Sequence, residues 1–202
     1  MKDVIIIDNF LDDLELDKLK DYFITNQNKL TWYYHDNINY QNLKENPLIL
    51  TNPSKVETKK NDGFVIVLNR NETPVSKETQ RLIEQIREYA INKLGIKVRN
   101  TIRIKINLNK PQTLDLKDID EGIHVDNLSE HITLIYYVNT NDGYTILYEN
   151  DKKTIKHKID CVGNRLVVFD GLTPHVGVPS TKIDKCLINF NLIEKKTNTK
   201  FI

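Results

Sequence analysis

Cysteine, charge excess and long apolar runs are all scarce in this sequence of 202 residues. Two cysteines, Cys161 and Cys186, are too few for a disulfide framework, although a single bridge between them stays open. The 29 Lys and Arg residues against 28 Asp and Glu residues leave a formal net charge of +1, without the basic excess of most nucleic-acid binders. No apolar run approaches the ~18 residues needed to span a bilayer, and the N-terminus lacks the hydrophobic core of a signal peptide. These absences predict a soluble, cytoplasmic protein with no strong nucleic-acid signal and no membrane partner.

Several catalytic motifs are absent as well. The sequence contains no Gly-rich phosphate loop, no Cys-x-x-Cys pair and no Gly-x-Ser-x-Gly nucleophile elbow. Nucleotide-dependent and acyl-enzyme chemistries are therefore not indicated.

The chain is predicted to begin with a strand and a helix. A β-branched run at residues 4–7 favours the strand. The helix near residues 13–24 has apolar residues on one face, with Asp12 as its cap and Glu15 completing a capping-box variant.

The strongest helix signal covers residues 77–94, where apolar residues keep a 3.6-residue period. Ser76 is its predicted N-cap, and Gly95 is its predicted stop. Between the two helices, residues 64–68 predict a strand, whereas residues 26–62 indicate irregular structure with short strands.

The second half of the sequence is dominated by strand patterns. Strands are predicted at residues 102–108, 132–138, 144–148, 165–169 and 186–192. Because the predicted helices precede most of the predicted strands in the sequence, the pattern indicates an α+β, mainly β chain. Its second half is predicted to be a β-sandwich or barrel. We expect one domain over residues 1–202, with support helices and a substrate rim in residues 1–95 and the core in residues 96–202.

Three residues form the most informative chemical pattern. His124 and Asp126 are two positions apart, so in an extended segment their side chains point to the same side. His175 follows a later apolar strand that can return to the same end of a barrel. Two histidines and one carboxylate on one face of a metal form the facial triad of non-haem Fe(II) oxygenases, and the same set could hold catalytic zinc.

The three residues belong to a longer series of features that occur in a fixed order. The series begins with His124-Val125-Asp126 and continues with a strand, residues 133–139, that contains Thr133, Tyr137 and Asn139. It then has a turn with Gly143 and Thr145, an apolar strand that ends at Phe169-Asp170, His175 and finally Lys185. From about Arg103 to Leu192 the chain thereby resembles the Fe(II)- and 2-oxoglutarate-dependent oxygenases of the prolyl 4-hydroxylase type. The resemblance implies a double-stranded β-helix, or jelly roll, with N-terminal support helices.

The same resemblance implies a set of ligands. His124, Asp126 and His175 would bind Fe(II), and Lys185 would pair with the distal carboxylate of 2-oxoglutarate. Lys182 is the rival lysine for that role. Tyr137 would either hydrogen-bond the same carboxylate or pack in the core.

Strand parity supports this assignment around Lys185. In residues 185–191, Cys186, Ile188 and Phe190 alternate with positions that are polar except for Leu187, so Lys185 and Asn189 share a face. On a neighbouring strand Thr133 shares a face with Tyr137, and Thr133, Tyr137 and Asn189 join Lys185 as predicted cosubstrate-binding residues. The polar positions Arg103, Lys105 and Asn107 are interpreted as ordinary solvated strand residues, with contact of one of them to cosubstrate or substrate as the alternative.

The implied activity is hydroxylation of a C–H bond with O₂ and 2-oxoglutarate, releasing succinate and CO₂. The expected substrate is a peptidyl or protein residue, or a small amino-acid-like metabolite. Two alternatives stay open, a non-catalytic jelly-roll metal-binding or sensor module and a zinc hydrolase. His35, His131 and His157 are not predicted to be ligands, and the aromatic stretch at residues 32–40 forms either a substrate rim or ordinary packing.

Overall fold

A computed structural model describes residues 4–35, 49–51, 53, 63–68 and 75–195 of the protein. Their helices are α1 (Asp13–Lys20), α2 (Lys77–Leu94) and α3 (Leu116–Glu121), with a π-helical turn at Asp21–Thr25 and a 3₁₀ turn at Gln27–Lys29. Their strands are β1 (Ile5–Ile7), β2 (Trp32–His35), β3 (Ile49–Thr51), β4 (Gly63–Leu68), β5 (Val98–Asn109), β6 (Ile132–Tyr137), β7 (Tyr144–Tyr148), β8 (Ile155–Asp160), β9 (Arg165–Asp170), β10 (His175–Val178) and β11 (Lys185–Glu194).

The strands form two antiparallel sheets. The larger sheet has the order β1-β9-β6-β11-β5-β4-β2-β3, and the smaller has the order β10-β7-β8. One apolar cluster contains Ile135 and Leu187 from the large sheet together with Leu147 and Ile159 from the small one, so the two sheets pack face to face. This arrangement is the double-stranded β-helix expected from the sequence.

Helices α1 and α2 cover the opposite face of the large sheet, whereas Ile119 of α3 packs with residues of the small sheet. Leu19 of α1 and Ile83 of α2 belong to the main buried cluster together with Ile106 of β5 and Phe190 of β11. The large sheet therefore has an apolar face against the helices and a second face against the small sheet. Among the described residues, no helix is both long and apolar enough to cross a membrane.

The predicted caps Asp12, Ser76 and Gly95 are confirmed, whereas the return bond from the Glu15 side chain that completes a capping box is not among those of the described residues. The Asp12 side chain accepts a hydrogen bond from the backbone N–H of Glu15, and Ser76 accepts one from Thr79. Gly95 ends α2 in the left-handed region with φ of 65°. A residue with a Cβ is disfavoured there, which explains why the helix stops at a glycine.

Two strands were missing from the sequence-based prediction. β8, which contains His157 and several lysines, pairs with β7 as a regular strand. β10 begins at His175 itself. Cys161 and Cys186 are free and buried in different apolar clusters, which removes the bridge between them.

The aromatic stretch contributes to packing where it is described. Trp32 is fully buried in the main cluster, and its indole N–H donates to the carbonyl of Gln27. Tyr33 lies on the other sheet face with Val65 and Val67. Tyr40, the last aromatic residue of the stretch, lies outside the described residues.

Candidate functional site

The structure brings the three predicted metal ligands together. His124 and His175 form an isolated antiparallel bridge, in which the His124 N–H donates to the His175 carbonyl at 3.0 Å and the reverse bond is 2.8 Å. Asp126 lies two residues further on, with its oxygens 3.8 Å from His124 Nε2 and 3.7 Å from His175 Nε2. The three ligand atoms all lie within 4.8 Å of one another. This spacing allows one ion to contact all three.

Backbone carbonyls hold both imidazole rings in one tautomer. His124 Nδ1 lies 2.8 Å from the carbonyl of Gly122, and His175 Nδ1 lies 2.9 Å from that of Thr173. A carbonyl only accepts hydrogen bonds, so each Nδ1 must carry the proton. Each Nε2 therefore presents its lone pair to the space beside Asp126, as metal coordination requires.

Asp126 is buried and receives hydrogen bonds from three side chains. Arg103 Nη2 donates to one carboxylate oxygen at 2.5 Å, and the amides of Asn189 and Asn191 donate to the other at 2.8 and 3.0 Å. Burial alone would raise the pKa of Asp126, but the Arg103 charge and both histidines hold it well below its usual range. The carboxyl group is therefore ionised and oriented before any metal binds.

His175 is held neutral by its surroundings. Its pKa is lowered to about 4, first by burial and then by the nearby His124, despite the opposing charge of Asp126. A neutral imidazole is the form that binds a metal.

Lys185 lies at the other end of the same pocket. It is 1% exposed, and its ammonium donates to the carbonyls of Tyr144 at 2.9 Å and Val178 at 2.7 Å. Burial lowers its pKa. No described carboxylate forms an ion pair with it, and the Cys161 thiol lies within hydrogen-bonding reach of the ammonium as a third neighbour. The rival Lys182 is exposed.

Of the other predicted cosubstrate-binding residues, only Asn189 lines the pocket, where it lies beside Asp126. The Tyr137 hydroxyl is fully buried and donates to Thr145 at 2.7 Å, so Thr145 is the residue that reaches the pocket. Burial raises the pKa of Tyr137. Thr133 accepts a hydrogen bond from Asn191 at 3.2 Å and lies outside the described pocket lining.

The interpretation of the polar β5 positions as solvated was wrong. Arg103 is 9% exposed and Lys105 is 4% exposed, and both line the pocket together with Asn107 and Asn109. The reason is that the space between the two sheets lies over this face of β5. The alternation in the sequence shows two different faces but does not show that the polar one is enclosed.

Comparison with known proteins gives no match by sequence but clear matches by structure. No family model and no curated protein matches the chain. A 2OG-Fe(II) oxygenase-family oxidoreductase from Burkholderia pseudomallei superimposes with a TM-score of 0.62 at 10% identity, over 94% of this chain and 84% of that chain. A prolyl-4-hydroxylase from Pseudomonas putida gives 0.56 at 14% identity, over 96% and 93% of the two chains.

A third similar structure is a prolyl hydroxylase from Trichoplax adhaerens in complex with a peptide fragment of hypoxia inducible factor. Its TM-score is 0.58 at 17% identity, with 95% of this chain and 83% of that chain covered. The chain has the same double-stranded β-helix fold as these oxygenases. In this fold, the pocket between the two sheets is lined by His124, Asp126, His175 and Lys185.

Proposed function

We propose that the protein is an Fe(II)- and 2-oxoglutarate-dependent dioxygenase of one domain. It hydroxylates a C–H bond of a peptidyl or protein residue, or of a small amino-acid-like metabolite, and releases succinate and CO₂. The observation that carries this proposal is the convergence of two imidazoles, one carboxylate and one buried lysine side chain on a single pocket.

The donor set fits Fe(II) with open positions. His124, Asp126 and His175 supply two nitrogens and one oxygen, and they leave the remaining coordination positions free for other ligands. When bound there, Fe(II) with 2-oxoglutarate and O₂ supplies the oxidising chemistry for hydroxylation. The carbonyls of Gly122 and Thr173 keep both Nε2 atoms aimed at the ion, and Arg103 fixes the direction of the Asp126 carboxylate.

Lys185 fits the distal carboxylate of 2-oxoglutarate. Its ammonium is removed from water and lacks a described carboxylate partner, so an incoming anion compensates the cost of burying the charge. The ammonium is held by Tyr144 and Val178 through their carbonyls, so its position is set by the backbone of the small sheet.

An anaerobic titration tests this function. Metal-free protein is titrated with Fe(II) and then with 2-oxoglutarate, and the weak visible charge-transfer band of a chelated 2-oxo acid is followed. The wild type should show the band, His175→Ala should lose it through loss of iron, and Lys185→Ala should bind iron but need at least ~10-fold more 2-oxoglutarate. Lys182→Ala is the matched control and should behave as wild type.

Other outcomes point to the alternatives. Iron binding without any band would favour a metal-binding or sensor module. Hydrolytic activity with zinc and no dependence on O₂ would favour a zinc hydrolase. Either result would overturn the proposed function.

A further inference from the structure

His131 is a buried imidazole that the proposed reaction does not use. It lies outside the set of three metal ligands and outside the pocket lining. Its Nδ1 lies 2.7 Å from the carbonyl oxygen of Ser129, and its Nε2 lies 3.3 Å from the Thr133 hydroxyl oxygen. Because a carbonyl only accepts hydrogen bonds, Nδ1 carries the proton and Nε2 accepts a hydrogen bond from the Thr133 hydroxyl. The ring therefore fixes the direction in which that hydroxyl points.

Thr133 belongs to a polar row that crosses three strands of the large sheet. Arg103 of β5 lies opposite Asn191 of β11, and Asn191 lies opposite Thr133 of β6. All three side chains are buried. Burying polar side chains is unfavourable unless each one is hydrogen-bonded, so the partners of this row decide whether it is tolerated.

The side-chain amide of Asn191 has one possible orientation. Its oxygen accepts a hydrogen bond from Arg103 Nε at 3.2 Å. Its nitrogen donates to the Asp126 carboxylate at 3.0 Å and to the Thr133 hydroxyl at 3.2 Å. Arginine only donates and an ionised carboxylate only accepts, so the amide cannot be reversed. Its two hydrogens are thus divided between the candidate metal ligand and Thr133.

These hydrogen bonds form one chain with a single direction. Asn191 donates to Thr133, and Thr133 donates to His131, which in turn donates to a backbone carbonyl. The chain holds the Asn191 amide against one oxygen of Asp126, while Arg103 holds the other oxygen. Without the acceptor on His131, the Thr133 hydroxyl is free to rotate, and the amide loses its fixed partner on the side opposite Arg103.

His131 also contacts the turn that supports His175. Its carbonyl accepts a hydrogen bond from the Gly171 N–H at 2.9 Å, and its ring packs so closely that a Cβ added to Gly171 would lie 2.2 Å from Nε2. Thr173, in the same turn, holds the His175 ring through its carbonyl. One residue therefore contacts the supports of two metal ligands that come from different parts of the chain.

We propose that His131 is a positioning residue of the metal site, which orients the Asp126 carboxylate through Thr133 and Asn191. The inference rests on the proposed oxygenase function, because it requires that Asp126 binds the metal. His131 sets the affinity of the site although its imidazole does not touch the ion. Side chains that support metal ligands in this way typically change metal affinity by about 10–100-fold.

Calorimetric titration of metal-free protein with Mn(II) tests the chain at Thr133. Thr133→Val keeps the branched shape and removes the hydroxyl, so it should raise the dissociation constant of Mn(II) about tenfold. Thr133→Ser restores the hydroxyl and should stay within about threefold of wild type. A Thr133→Val variant that binds Mn(II) like wild type would overturn the proposal, as would a Thr133→Ser variant that binds no better than Thr133→Val.

A double variant separates positioning from two unrelated defects. His131→Phe keeps a ring beside Gly171 but removes the acceptor, and alone it should also raise the Mn(II) dissociation constant about tenfold. Because both residues act through the same chain, combining His131→Phe with Thr133→Val should weaken binding by no more than about a further threefold. Effects that multiply to about a hundredfold would contradict the chain.

Thr79→Val is the matched control. Thr79 is a buried hydroxyl on α2 that lies 2.8 Å from the Tyr22 hydroxyl and 2.9 Å from the Ser76 hydroxyl, outside the pocket lining. This variant should lower the urea midpoint of unfolding and leave the Mn(II) affinity unchanged. If it weakens Mn(II) binding as much as Thr133→Val does, the effect reflects overall stability and the proposal is wrong.

The two proposals fail in different ways. A wild type that does not bind Mn(II), or that shows no charge-transfer band with Fe(II) and 2-oxoglutarate, contradicts the oxygenase function itself. A wild type that does both, with Thr133→Val and His131→Phe binding Mn(II) equally well, contradicts only the role of His131.

Discussion

The buried imidazole of His175 makes the metal-free protein sensitive to acid. Its pKa is about 4 in the folded protein, against 6.5 as the ordinary value. Between these pH values the unfolded chain binds a proton that the folded protein does not bind. The stabilising contribution is therefore complete above about pH 6.5 and falls as the pH decreases to about 4. We expect the free energy of unfolding to fall by about 3 kcal/mol over this range, measured by urea unfolding of metal-free protein.

Two substitutions assign this pH dependence. His175→Asn should flatten the curve between pH 6.5 and 4, because it removes the titrating group. His157→Asn changes an exposed histidine on β8 and should leave the curve unchanged. An unchanged slope in His175→Asn would show that another group causes the acid sensitivity.

For single residues, the sequence revealed the candidate metal ligands but not the side chains that hydrogen-bond them. His124 and Asp126 were recognisable because a two-residue spacing puts both side chains on one side of an extended segment. Arg103 was not recognisable, because its contact with Asp126 joins positions 23 residues apart and depends on how the segment between them folds back. Local periodicity carries no information about such a contact.

The turn between β9 and β10 places His175, and Gly171 is its tightest point. The Gly171 N–H donates to the His131 carbonyl at 2.9 Å, and an added Cβ would lie 2.2 Å from His131 Nε2. Gly171→Ala must therefore displace the His131 ring or the turn. We expect a loss of about 1–3 kcal/mol in unfolding free energy and weaker Mn(II) binding, measured by urea unfolding and calorimetric titration.

A second background isolates the steric cause. Gly171→Ala should cost much less when it is combined with His131→Ala, because the ring that it strikes is gone. The comparison is between the double variant and His131→Ala alone. An equal cost in both backgrounds would mean that the backbone of the turn, and not the ring, requires a glycine.

Strands with one apolar face could be predicted, and strands without one could not. In β11, Cys186, Ile188 and Phe190 pack in the main cluster while Lys185 and Asn189 line the pocket, as their alternation predicts. β8 has no such signal, because nearly all of its residues are exposed at the edge of the small sheet. Its position is determined by pairing with β7, which only the folded chain shows.

At the scale of the whole molecule, Asn164 joins the N-terminal segment to the large sheet. Its side chain accepts a hydrogen bond from the Leu11 N–H and donates one to the Leu11 carbonyl, both at 2.8 Å, and it accepts one from the Tyr136 hydroxyl at 3.1 Å. Its φ is 65°, a conformation that asparagine tolerates better than most residues. Asn164→Ala should reduce the unfolding free energy by about 3 kcal/mol, measured by urea unfolding.

Asn164→Gly separates the two causes of this loss. Glycine adopts the positive φ without strain, so this variant should lose about 1 kcal/mol less than Asn164→Ala. Neither variant should change the affinity for Mn(II), because the Asn164 side chain contacts the N-terminal segment and not the pocket. Two variants as stable as wild type would contradict a structural role for Asn164.

The fold class could be predicted from the ordered motifs, whereas the strand order could not. β1 pairs with β9, so Ile5 lies beside Val168 at the edge of the large sheet. Nothing in the local pattern of either segment specifies this partner, since each has only a short apolar run. The division into residues 1–95 and 96–202 within one domain stays a prediction.

The backbone pairing of His124 with His175 also affects how a bound ion would leave. Both imidazoles project from one pair of reciprocally bonded residues, so neither ring can withdraw far while those two bonds remain. An imidazole that dissociates from the ion therefore stays near it and rebinds before the ion diffuses away. Metal release should therefore be limited by local opening of β10, and slow exchange would follow even where equilibrium affinity is modest.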